Sequence, residues 1–197
     1  MGLFDMFKKK NNSKQEPSAQ YSNSAKALGG VHEIINTLWG VDGVKTVVAS
    51  SKDAINSLIV EEGVRKKTEL LEYGLELCLE LLSNAKKNPK TTLGGNCMTA
   101  FIYYRVFFEC VLALDTDIMD VNEHYTIFQA TKQIPSGMHL YVQTMIKIYD
   151  ILDRGIVYLY KNMDSVTEDY FAIVAKKIRN YLNSYVDDNT GWNKVIS

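Results

Sequence analysis

Residues 97–114, CMTAFIYYRVFFECVLAL, decide the fold of this chain. Apart from Thr99, Arg105 and Glu109, every side chain in the stretch is apolar or aromatic. A helix that is apolar on all sides lies at the centre of a bundle or in a membrane. An arginine at the middle of a bilayer costs about 2.5–3.5 kcal/mol on insertion scales. The stretch therefore predicts a central bundle helix, with Arg105 and Glu109 one turn apart on a polar seam.

Apolar residues on both sides of this stretch repeat at intervals of three and four, which is the period of amphipathic helices. Glycine and proline stand where the period lapses, at Gly40, Gly43, Pro89 and Pro135. No segment alternates as a strand does. The sequence thus predicts an all-α fold, a single bundle of about five to seven helices over residues 31–197.

The start of the final helix is also predicted from a local pattern. Ser165 is followed three residues later by Glu168, which resembles a capping box. In such a box the two side chains bond the first free backbone amides of a helix. The last helix is therefore expected to begin directly after Ser165.

Composition bounds the class of protein. The chain has 197 residues, of which 46% are hydrophobic and 23% charged, with a formal net charge of −1. These values fit one globular domain and exclude disordered and fibrous chains. The three cysteines lie in apolar runs without a C-x-x-C spacing, which predicts core thiols in a reducing compartment. We expect a soluble cytoplasmic protein without a cofactor.

Residues 1–30 are expected to form a flexible basic tail, because five lysines face only two acidic residues and little in the segment can be buried. Its apolar start precedes its lysines, which is the reverse of a secretion signal. Those apolar side chains suit weak contact with a membrane surface, or docking in a groove of a partner. They are Leu3, Phe4, Met6 and Phe7.

An acidic cluster follows the central stretch, at Asp115, Asp117, Asp120 and Glu123. An EF-hand loop would need an oxygen ligand where Met119 stands and a glycine where Asp120 stands. The three histidines show no metal-ligand spacing and no neighbouring nucleophile. We therefore predict a solvated acidic loop, with no metal site and no catalytic residue.

Twelve tyrosines are the most unusual feature of the composition. Tyrosine is enriched at protein interfaces because it combines apolar area with a hydroxyl group. The leading hypothesis is a non-enzymatic intracellular protein-interaction module, an adaptor, regulator or neutralising partner. Its partner is another protein, or a second copy of the chain in a homodimer. The predicted interaction surface consists of Tyr103, Tyr104, Tyr158, Tyr160, Asp115, Asp117, Asp120 and Glu123.

A second hypothesis is a helical nucleotide- or RNA-binding protein. Lysines precede a Gly-Gly pair at an expected helix start, and the amides of a helix N-terminus attract phosphate. The order differs from a P-loop, in which lysine follows the glycines. The predicted anion-binding residues are Lys86, Lys87, Lys90, Gly94, Gly95 and Arg179. The charge of the main body does not predict a nucleic-acid groove, because basic residues are not gathered there.

Residues 179–185, Arg-Asn-Tyr-Leu-Asn-Ser-Tyr, add to this second hypothesis. The stretch resembles the Arg-Asn…His signature of the HEPN family of helical ribonucleases and nucleotide-binding proteins. Tyr185 stands where that family has an acid–base imidazole. Because proton transfer would lack its usual agent, the resemblance implies a non-catalytic relative.

Overall fold

The computed structural model describes residues 30–114 and 117–186, and all regular elements within them are helices. The prediction of an all-α bundle is confirmed, and six α-helices in the described part agree with the expected number. They are α1 (Gly30–Val60), α2 (Lys67–Lys86), α3 (Leu93–Leu112), α4 (Asp117–Thr131), α5 (Leu140–Asn162) and α6 (Tyr170–Val186), with a 3₁₀ turn at Met163–Ser165.

Helix α3 carries the apolar stretch and packs against all five other α-helices. Its largest side chains, Phe101, Tyr104, Phe107 and Phe108, are fully buried. The Phe101 ring meets that of Phe171 edge to face, with centroids 5.1 Å apart. Burying such a side chain stabilises the fold by about 1.5–3 kcal/mol. The predicted central position of this helix is therefore confirmed.

No helix in the described ranges is both long enough and apolar enough to cross a bilayer. The predicted tail, with Leu3, Phe4, Met6 and Phe7, lies outside the described residues except for Gly30, which begins α1.

Two local predictions have different outcomes. The expected interruption is present at Gly40, whose backbone (φ 70°, ψ 167°) leaves the helical region and kinks α1, but it is wrong at Gly43, where the helix continues. The capping box at Ser165 is wrong. Ser165 lies in the 3₁₀ turn, where its hydroxyl donates to the Asn162 carbonyl, and α6 begins only at Tyr170.

Three glycines set the spacing between helices. A Cβ atom on Gly74 would overlap the Phe107 ring, and one on Gly155 would overlap the Phe101 ring. At Gly94 the atom in the way is the backbone carbonyl oxygen of Met163. A ring can turn aside, whereas a backbone carbonyl is held by the turn that contains it. The contact at Gly94 therefore fixes the start of α3 against the end of α5.

We expect Gly94→Ala to lower the free energy of unfolding by about 1–3 kcal/mol, the usual effect of overpacking. The control is Gly43→Ala, whose Cβ would lie 3.2 Å from the Trp39 Cβ and whose effect should stay below about 1 kcal/mol. Urea denaturation measures both. Equal effects of the two substitutions would show that the Met163 carbonyl moves freely.

Candidate functional site

The residues of the predicted interaction surface range from fully buried to exposed in the structure. Tyr104 is fully buried, and its hydroxyl donates to the Leu71 carbonyl at 3.2 Å, so its assignment to a surface is wrong. Tyr103 and Tyr160 are half-buried, whereas Tyr158 is exposed. Of the acidic members, Asp120 and Glu123 are exposed on α4 and Asp117 begins that helix, while Asp115 lies outside the described residues.

The predicted anion-binding residues are engaged elsewhere. Lys86 forms an ion pair with Asp169, and Arg179 with both Glu72 and Glu76. At the start of α3 the Thr92 hydroxyl oxygen already accepts a hydrogen bond from the Gly95 amide, at 3.1 Å. The Gly94 backbone lies against the carbonyl oxygen of Met163. These contacts engage Lys86, Arg179 and the helix start, and the anion site there stays a prediction. Lys87 and Lys90 remain exposed.

A different site lies between α1, α3, α4 and α5. It is an open cavity of about 680 Å³, within the range of small-molecule pockets. We name it the Arg105 cavity. Its floor is formed by Arg105, Glu109, Tyr125, Tyr149 and Asp153, and its rim includes His32, Lys132, Arg154, Tyr158 and Lys161.

The floor holds a buried charge in an otherwise apolar core. Arg105 is only 3% exposed and Asp153 8%. The Arg105 Nε donates to Asp153 Oδ1 at 2.7 Å, while Nη1 lies 2.6 Å from Glu109 Oε1. The second contact is an ion pair by distance, yet its angle leaves Nη1 without a hydrogen bond. One buried guanidinium is thus held between two carboxylates from different helices.

Two tyrosines complete this floor. The Tyr125 hydroxyl donates to Asp153 Oδ2 at 2.8 Å, and the Tyr149 hydroxyl to Glu109 Oε1 at 3.2 Å. Their rings stack with centroids 4.9 Å apart, and the Arg105 Cζ lies 4.1 Å from the Tyr149 centroid. A cation over an aromatic face is attracted by its quadrupole. The network joins α3, α4 and α5 at one point.

Protonation of the floor follows from this geometry. Desolvation alone would lower the pKa of Arg105, but Asp153 and Glu109 raise it above its usual value. Burial, together with the neighbouring carboxylates, raises the pKa of Tyr125 and Tyr149. The guanidinium therefore stays charged and the phenols stay neutral near pH 7. These groups hold hydrogen bonds in place, each in a single protonation state at that pH.

The rim is basic and exposed to solvent. Arg154 pairs with Asp150 one turn away, and burial raises the pKa of Asp150. Lys132 and Lys161 form no ion pair with a described residue. Lys132 is the only non-glycine residue in the described ranges with a positive φ, at 57°. Its Nζ lies 5.6 Å from the Phe128 ring centroid.

Two of the five floor residues were predictable from the sequence. Arg105 and Glu109 were placed on one polar seam, and their ion pair confirms it. The roles of Asp153, Tyr125 and Tyr149 were missed. The position of Asp153 could have indicated its role. It lies four residues after Tyr149, so it shares the apolar face of that helix. A lone carboxylate on a core face indicates a buried partner.

Comparison with known proteins finds no matching family model, no matching curated protein and no matching solved structure. The resemblance of residues 179–185 to the HEPN signature thus stays a prediction. In the described part of the chain, no group of three or more His, Cys, Asp or Glu side chains is arranged to hold a metal ion.

Removing the buried cation should strongly destabilise the fold. We expect Arg105→Met to lower the free energy of unfolding by about 3–5 kcal/mol, because it leaves two carboxylates without their cation. Arg154→Met, which removes an exposed cation of the same cavity, should change it by less than about 1 kcal/mol. Chemical denaturation compares the two. A small effect at Arg105 would mean that the carboxylates find other partners.

The tyrosines predict the response to alkaline pH. Since their pKa is raised in the folded state, their contribution to stability is present below pH of about 10, the ordinary tyrosine pKa, and is lost as the pH rises above it. Tyr125→Phe should reduce the slope of unfolding free energy against pH in that range by about 1.4 kcal/mol per pH unit. The exposed Tyr73→Phe is the control, and an equal slope in both variants would contradict the assignment.

Proposed function

We propose that this protein is a non-enzymatic binding protein and that its Arg105 cavity takes a small anionic molecule. The observation that carries the proposal is the backbone of Lys132 on the cavity rim. A left-handed conformation costs a residue with a side chain roughly 1–2 kcal/mol. Helices commonly end at a glycine in this conformation. A lysine in that place indicates that its ammonium group serves a purpose other than stability.

The charges of the cavity support an anionic ligand. Its lining includes the cations Arg105, Lys132, Arg154 and Lys161 against the carboxylates of Glu109, Asp150 and Asp153, a net charge of +1. The floor cation is held by carboxylates, whereas two rim lysines are without an ion-pair partner among the described residues. Phosphate or carboxylate oxygens of a ligand would give those lysines charge-assisted hydrogen bonds.

The rim also suits a ligand with a second, less polar part. Tyr158 is exposed there, whereas the rings of Tyr125 and Tyr149 are buried in the floor and stack on each other. Aromatic side chains bind planar and apolar groups through area and stacking. A molecule with an anionic group near the rim lysines and a planar group against Tyr158, as in a nucleotide, matches this arrangement.

This proposal keeps the ligand class of the second sequence-based hypothesis and changes its location, from the start of α3 to the Arg105 cavity. RNA binding would need a larger basic face than the cavity offers. The hypothesis of a protein partner, a homodimer or an adaptor role remains a prediction. It has lost Tyr104 from its proposed surface, because that ring lies in the core.

Substitution of Lys132 tests the proposal, because its effects on stability and on ligand binding should have opposite signs. We expect Lys132→Gly to raise the melting temperature of the free protein, because glycine adopts this φ without strain. The same variant should weaken binding of an anionic ligand about tenfold, or about 1.4 kcal/mol. Thermal shift and titration calorimetry, with inorganic phosphate, nucleoside triphosphates and dicarboxylates as probes, measure both effects.

Matched lysines of α6 provide the control. The double variant Lys132→Gln and Lys161→Gln should abolish the ligand-induced thermal shift, whereas Lys176→Gln and Lys177→Gln, both exposed outside the cavity, should leave it intact. If no probe shifts the melting temperature, or if both double variants respond equally, the cavity is not an anion site.

A further inference from the structure

We propose that residues 3–10 of this chain dock in the groove between α2 and α6. The groove has a volume of about 310 Å³ and is separate from the Arg105 cavity. We name it the α2–α6 groove; it is lined by Thr68, Glu69, Glu72, Tyr73, Glu76, Leu182 and Asn183. The inference does not depend on the proposed ligand of the cavity.

The groove offers apolar surface that nothing in the described structure covers. Tyr73 is 43% exposed, and its neighbour on α2, Leu77, is 39% exposed. Leu182 of α6 is buried but lines the groove from below. A space of this size accommodates one or two large side chains of a peptide. Such a recess suits the anchoring side chains of a short amphipathic segment.

One edge of the groove is acidic. Glu69, Glu72 and Glu76 line it, and Glu80 continues the same face of α2 beyond the groove. The four follow one another at intervals of three and four, over about 16 Å. Lys66 and Arg179 pair with three of them, which leaves a net charge of −2 in this set.

Those ion pairs do not prevent another cation from binding. Lys66 and Glu69 are each about half exposed, and both Arg179 and its partners are open to solvent. Exposed pairs contribute little, typically about 0–1 kcal/mol. Glu80 makes no ion pair with a described residue. The acidic edge therefore retains attraction for a basic segment.

The start of this chain has the complementary chemistry. Leu3, Phe4, Met6 and Phe7 provide apolar anchors, and Lys8, Lys9 and Lys10 follow directly. Placed on the α2–α6 groove, the anchors would contact Tyr73 and Leu182 while the lysines would meet the glutamates. An attached segment of this kind needs little intrinsic affinity, because its effective concentration is on the order of millimolar.

The connection is long enough for this contact. The described structure begins at Gly30, and the 19 residues between Lys10 and Gly30 span up to roughly 63 Å when extended. A small domain is about 30 Å across. The same chain can therefore reach its own groove, and no second copy is required.

Cleavage by trypsin after Lys8, Lys9 and Lys10 in the full chain tests the proposal, with mass spectrometry of the released peptides. At low salt the docked lysines should be cleaved several-fold more slowly than at about 1 M salt, where the Debye length falls to about 3 Å. Glu69→Lys with Glu80→Lys should remove the protection. Glu33→Lys with Glu123→Lys, exposed acids of α1 and α4, should preserve it.

Other occupants give different results. Protection that grows with protein concentration would assign the groove to the segment of a second copy and overturn docking within one chain. Protection only after adding vesicles of anionic lipid would assign the segment to a membrane surface, which also overturns it. Equal cleavage of wild type and both double variants would exclude docking.

Hydrogen exchange of the full chain is a second test, with substitutions in the docked segment and none in the groove. Phe4→Ser with Phe7→Ser should speed amide exchange of α2 around Tyr73, because the anchors no longer cover it. Unchanged exchange there would contradict the proposal even if the glutamate variants failed to fold.

Discussion

The structure depends on compensating one guanidinium that is buried among apolar side chains. Arg105 lies buried on the central helix, so carboxylates must compensate its charge; Glu109 does so from the same helix and Asp153 from another. Asp153 meets this need from α5 and in turn accepts the Tyr125 hydroxyl of α4. The contacts of Arg105 therefore set how α5 packs on α3. They also set where α4 lies against both helices. The Arg105 cavity lies over these polar groups and their aromatic neighbours.

Much of the fold could be predicted because its signals are local. The apolar stretch at residues 97–114 indicated a central helix from composition alone, and the kink at Gly40 was visible as a glycine that interrupts a helical period. The start of α6 could not be predicted in this way. Ser165 and Glu168 have the right spacing for a cap, but the chain there is held by a tertiary contact, in which the Met163 carbonyl lies against Gly94. A close approach between distant segments leaves no periodic trace in either of them.

Only those residues of the candidate site that lie on one helix could be predicted to contact each other. Arg105 and Glu109 are four residues apart, so their pairing follows from helical geometry. Asp153 is 48 residues from Arg105, and its role depends on how α5 packs. The strain at Lys132 left no sequence signal at all, since a lysine that ends a helix looks favourable for the helix dipole. Conversely, Tyr104 looked like a surface residue because adjacent tyrosines must point in different directions, and the structure shows which of the two is buried.

The buried network and the strained lysine support the same conclusion by different routes. Replacing a buried ion pair with well-packed apolar residues is often neutral or stabilising, so stability does not account for Arg105 and its carboxylates. Glycine would relieve Lys132, so stability does not account for that lysine either. Both features line one cavity, on its floor and on its rim. A bound anion would engage the rim cations, which lie beside a floor network that already holds Arg105 in place. Preorganised groups of this kind bind more tightly because little is left to order when the ligand arrives. The proposed anion binding would account for both departures from an apolar, unstrained bundle.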